Sequence, residues 1–118
     1  MSFTEVLKYV TSSVKGAKGA AIVGMDGIIV DSLMVTAGVD LPSVSAEYGN
    51  ILKEVQNASQ SLRMGSPSEV SVITESSDLI MRKINDDYFI ALVMSRDGNF
   101  GKGRFLMRVA ANRLVEEF

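Results

Sequence analysis

Gly-Ala-Ala-Ile-Val-Gly-Met-Asp-Gly-Ile-Ile-Val-Asp-Ser (19–32) decides the fold. Two apolar runs, 19–24 and 28–33, hinge on Asp26-Gly27, a pair suited to the positive φ angles of a tight hairpin. Their nearly continuous apolarity predicts two strands buried on both faces. Further on, Tyr-Phe-Ile-Ala-Leu-Val-Met-Ser-Arg-Asp-Gly-Asn-Phe-Gly-Lys-Gly-Arg-Phe (88–105) reads as a last buried strand. It drops through Asp97-Gly98-Asn99 into a C-terminal helix.

Outward from these stretches, the remaining elements follow from period and punctuation. Ser2 is placed to cap a first helix, with Glu5 reaching back in a capping box and Met1 stapled onto Val6. Phe3, Val6, Leu7, Val10 and Val14 fall on one face, and Gly16 lies where a left-handed C-cap belongs. Residues 34–42 form a loop, with Pro42 suited to the first turn of a helix over 43–64. That helix shows a core stripe of Val44, Tyr48, Ile51, Val55, Ala58 and Leu62, and Gly65-Ser66-Pro67 ends it. Strands at 69–75, 79–84 and 88–94 are separated by Ser76-Ser77-Asp78 and Asn85-Asp86-Asp87, links so short that they demand antiparallel neighbours. A last helix over 101–117 carries Leu106, Met107, Ala110, Ala111, Leu114 and Phe118 on its apolar side.

The element order is thus αββαβββα. The expected fold is α/β of the α+β kind: a five-stranded antiparallel sheet, order 2-1-5-4-3, flanked by helices on both faces. The order rests on the hairpin, the meander and one inference, that the first strand pairs with the fifth. All 118 residues read as a single domain, long enough to bury roughly two-thirds of the unfolded surface.

Composition narrows the function. A net charge of −2 with no basic cluster argues against nucleic acid as partner. Cysteine and histidine are both absent, which removes thiolate metal sites, the usual general base and every Ser-His or Cys-His nucleophile pair. No apolar run approaches the roughly 20 residues of a bilayer span, and the N-terminus lacks a signal-peptide pattern, so the expected location is cytoplasmic, without membrane insertion. The Gly-Lys pair at 101–102 is followed by Gly103 rather than Ser or Thr, which leaves it short of a phosphate-binding loop. The aspartates fall at turns and strand ends without calcium-loop spacing. Neither a metal nor a cofactor is expected, and the chain reads as non-catalytic by itself.

What remains is surface. Beside its aliphatic stripe the long helix carries Ser45, Gly49, Leu52, Gln56, Ser59 and Arg63 at alternating spacings of four and three, most of them small or unbranched, so that another helix can approach closely. The third strand, with Val70, Val72 and Thr74, has no charge or proline in its middle and lies at an edge, a template for pairing. One symmetric dimer interface built from both features satisfies them together. Arg104 and Arg108, one helical turn apart, stack like charges near a helix start.

Residues 16–32 and Asn-Phe-Gly-Lys-Gly-Arg-Phe-Leu-Met-Arg (99–108), set in this element order, resemble the roadblock family of dynein light chains, in its bacterial MglB-like branch. The matching positions are Asp26 and Gly27 in the hairpin and Asn99, Gly101 and Arg104 at the strand-to-helix junction. The resemblance implies a homodimer with joined third strands and long helices side by side. It also implies a small Ras-like GTPase as partner, regulated through its switch regions, with Asn50, Lys53, Glu54 and Asn57 facing it. Alternatives are a scaffold or adaptor without effect on turnover, and a small-ligand sensor.

Overall fold

The structure is a computed structural model and describes residues 2–118. The elements are α1 (Phe3–Ser13), β1 (Ala17–Gly24), β2 (Ile29–Met34), α2 (Leu41–Ser61), β3 (Glu69–Ile73), β4 (Ser77–Lys83), β5 (Tyr88–Ser95) and α3 (Phe100–Leu114), followed by a 3-10 turn at Val115–Glu117. The five strands form one antiparallel sheet in the order β2-β1-β5-β4-β3. The expected class, element order and strand order are those observed.

Strand alternation sends side chains to opposite faces, and the core divides accordingly. On one face Ala20, Ile22, Ile80, Ile90, Leu92 and Met94 pack under α1 and α3. On the other, Ala21, Val23, Leu79, Met81, Phe89, Ala91 and Val93 meet α2. The central strands β1 and β5 are therefore apolar at nearly every position, and β4 is so over Leu79, Ile80 and Met81, as strands covered on both sides must be.

Local chemistry sets the ends. The Ser2 hydroxyl accepts from Glu5 N at 3.2 Å and donates to the Glu5 carboxylate at 3.1 Å, in place of the expected bond from that carboxylate back to the backbone. The expected contact of Met1 lies outside the described residues. Pro42 occupies the first turn of α2. The Asp40 carboxylate caps that helix, accepting from Ser43 N at 3.1 Å and from the Ser43 hydroxyl at 2.7 Å, and these two bonds, the hydroxyl's first, hold its pKa below the usual aspartate value. A carboxyl depressed in the folded state contributes stability above its unfolded pKa and loses it as pH falls through the lower folded value. Acid unfolding of wild type below the ordinary aspartate range is therefore expected to carry a component that Asp40→Asn removes. Thermal melts of both proteins on descending pH check this, and parallel profiles count against it.

Three expectations need correction. The hairpin loop is longer than a two-residue turn: Gly27 is left-handed at φ 85° while Asp26 keeps negative φ and accepts from Ile28 N at 3.0 Å. A register shift between Ile22 and Val23 leaves Val30 of β2 unpaired as a bulge. Strand β2 is not buried on both faces; it alternates half-buried and exposed because it is an edge. The third correction concerns α2, and it reshapes the candidate site.

Candidate functional site: the exposed flank of α2 and the β3 edge

Helix α2 is rolled about its axis relative to the expected placement. Leu41, Ser45, Gly49 and Leu52 face the sheet and are buried, Leu52 to 2% exposure. The aliphatic line expected in the core lies on the flank instead: Val44, Tyr48 and Val55 are half-buried, while Ile51 is 42% and Leu62 70% exposed. A Cβ added at Gly49 would stand 3.5 Å from Phe89 Cζ and 3.8 Å from Gly27 Cα, ordinary contact distances that place this turn of the helix directly against Phe89. The Ser45 hydroxyl is buried there without a hydrogen-bond partner.

Ser45, Gly49 and Leu52 are therefore corrected from partner-facing residues to internal packing. Gln56 and Ser59, further along the same line, are half-buried. Val70 and Val72 of β3 pack against the α2-side core, while Thr74, expected within the strand, lies one residue past its end and is exposed. Strand β3 closes one end of the sheet, and its outer backbone edge is open in the protomer.

Between α2 and the β3–β4 turn runs a groove of about 260 Å³, with Val44 and Tyr48 on one wall and Thr74, Asp78 and Leu79 on the other. Lys18 Nζ donates to Ser77 Oγ at 2.9 Å at one end. Asp78, 4% exposed, is balanced by Arg96, whose Nε lies 3.4 Å from its carboxylate. Aliphatic flank, groove and open strand thus lie side by side on one face. Asn50, Lys53, Glu54 and Asn57 are all exposed, on the side of α2 turned away from its buried line.

The remaining motif positions act locally. Asn99 caps α3, accepting from Lys102 N at 3.1 Å. Gly101 faces open space apart from the Asn99 side chain at 3.9 Å, and nothing in the structure requires a glycine there. Arg104 Nε donates to Glu69 Oε2 at 2.7 Å, tying α3 to β3. Among the described residues, no group of three or more His, Cys, Asp or Glu side chains is placed to hold a metal. Among them, too, no helix is long and apolar enough to cross a membrane.

Fold and site define a helix–sheet–helix module whose most distinctive surface is a hydrophobic helix flank beside an open strand. No protein-family model matches the chain, and no curated protein does. Among solved structures, MglC from Myxococcus xanthus is 41% identical over 100% of both chains, with a TM-score of 0.72. MglB from Thermus thermophilus is 16% identical over 96% of this chain and 85% of its own, with a TM-score of 0.86. A Roadblock/LC7 domain from Streptomyces avermitilis, at 12% identity, covers 97% and 95% with a TM-score of 0.85. The chain belongs to the roadblock family. It is a roadblock-type module of the regulatory or adaptor kind.

Proposed function

We propose that this protein is a homodimer that regulates a small Ras-like GTPase. The observation that carries the reading is the juxtaposition on one face of the exposed apolar flank of α2 and the open edge of β3. Two copies related by a twofold axis beside β3 extend the sheet through Val70, Val72 and Thr74, and bring Ile51 and Leu62 of each α2 against the other. Gln56 and Ser59 border that contact. The paired helices then present Asn50, Lys53, Glu54 and Asn57 as a polar platform for the GTPase.

Such a platform acts by holding switch segments in a hydrolysis-competent arrangement, so it must bind one nucleotide state more tightly than the other. The GTPase supplies the reacting groups. Steady-state phosphate release from a small GTPase encoded by the same genome is expected to rise severalfold on adding the purified protein. A Lys53→Ala, Glu54→Ala variant should lose most of the increase while melting like wild type. Tight binding with unchanged turnover would leave an adaptor instead.

A further inference from the structure

On the opposite face of the sheet, α3 packs over β4 and β5 and leaves the start of β3 uncovered. A groove of about 250 Å³ opens there, lined by Glu69, Arg82, Arg104, Phe105 and Arg108. The register that pairs Glu69 with Arg82 brings the two strands' polar ends together, and α3 supplies the rest. Three guanidinium groups therefore share one lining carboxylate in a chain whose net charge is −2. Glu69 is mostly buried and holds two of them, Arg82 at 3.4 Å and Arg104 at 2.7 Å. Arg108 lies over the ring of Phe105 at 5.5 Å, and that ring is itself 54% exposed. The cluster is cationic in excess, held in place by its own carboxylate, and floored by an aromatic face.

From this geometry we infer that the α3–β3 groove docks an acidic segment of a partner polypeptide, its carboxylates on Arg104 and Arg108 and an apolar side chain against Phe105. Guanidinium forks match carboxylates in plane, and the Phe105–Arg108 stack limits the freedom Arg108 has to lose on binding. Ser71 and Ile73, which follow Glu69 on the same face of β3, are exposed beyond the groove and leave room for an extended chain. A compact phosphate is the poorer fit: Glu69 sits between Arg82 and Arg104, so a dianion bridging them meets that carboxylate, whereas carboxylates spaced along a peptide reach Arg104 and Arg108 separately. The site lies on the face away from α2 and goes beyond the GTPase reading, which neither supports nor depends on it.

The test uses the full chain and a fluorescein-labelled peptide of alternating glutamate and phenylalanine, followed by anisotropy. Saturable binding that weakens with added salt is expected, together with none by the corresponding lysine–phenylalanine peptide. Arg104→Glu and Arg108→Glu should each weaken binding about tenfold, equivalent to about 1.4 kcal/mol. Arg63→Glu, an equal change of net charge beyond the end of α2, should leave it unaltered. Arg108→Glu keeps the test decisive if loss of the Glu69 pairing disturbs the Arg104 variant, and circular dichroism reports the fold of each. Absence of saturable binding, undiminished binding by a folded Arg108→Glu protein, or binding of inorganic phosphate with none of the peptide would each overturn the assignment.

Discussion

Gly98→Ala is expected to lower the melting temperature by about 10–15 °C, a loss of about 3 kcal/mol or more. A Cβ at this position would stand 2.4 Å from Lys15 O, 2.8 Å from Met94 Cε and 3.2 Å from Gly16 Cα. The methionine end can swing aside; the carbonyl cannot. Lys15 O accepts from Asn99 N at 3.1 Å, and the neighbouring Gly16 O accepts from Ser95 N at 2.8 Å. The turn that ends α1 and the turn that starts α3 are thus seated back to back, joined on both sides of the clash. Gly16 mirrors the constraint, with φ of 90° and its own Cβ position 2.8 Å from Gly98 Cα. Relieving the overlap means separating the two turns and breaking bonds worth about 1 kcal/mol each, with α1 pried from the sheet as well. Gly101→Ala, three residues on, is the control. It is helical and unobstructed, and replacing a helical glycine is expected to stabilise by about 0.5–1 kcal/mol. Calorimetric melts of both variants check the pair; a Gly98→Ala protein melting within about 2 °C of wild type would refute the argument.

This interlock shows what sequence does and does not disclose. Gly98 reads as a turn residue in any inspection of Asp97-Gly98-Asn99, but its partner, Lys15 O, is remote in sequence and enters only once β1 pairs with β5. Topology was legible because short links and Asp-Gly punctuation leave few ways to order five strands. The roll of α2 was not. Its sequence carries two adjacent stripes, one aliphatic and one small and polar, and helical period alone does not say which meets the sheet. Transfer energy alone favours burying Val44, Ile51 and Leu62, yet it is Leu41, Ser45, Gly49 and Leu52 that meet the sheet, with Gly49 at contact distance from Phe89. One signal was available: a glycine in mid-helix costs about 1 kcal/mol relative to alanine and so marks a place where something comes close. The arginine groove was half legible. The stacking of Arg104 on Arg108 is visible along the chain, whereas Arg82 and Glu69 join them only through the β3–β4 register.

Leu52→Lys and Ile51→Lys, substitutions at neighbouring positions, are expected to fail in opposite ways. Leu52 is 2% exposed, in the cluster that contains Val23, Met81 and Phe89. Lysine there forfeits the leucine's burial, about 1.5–3 kcal/mol, and either buries an ammonium ion without a partner or drags α2 off the sheet. The combined loss of about 4 kcal/mol or more is a large part of the stability of a domain this size, so the variant should be mostly unfolded by circular dichroism at room temperature. Ile51 is 42% exposed on the flank beside the groove. A lysine keeps its charge in water in the protomer, and wild-type secondary structure is expected. In the proposed dimer the same lysine approaches its symmetry mate across the apolar contact, where two like charges lose hydration and repel. Light scattering should then report half the wild-type mass for a folded Ile51→Lys protein. Its melting should also lose the dependence on protein concentration that dimerisation confers. The inverse pattern, a folded monomer from Leu52→Lys and an undisturbed dimer from Ile51→Lys, would hand the interface back to the small-residue line of Ser45, Gly49 and Leu52 and require α2 to be rolled the other way.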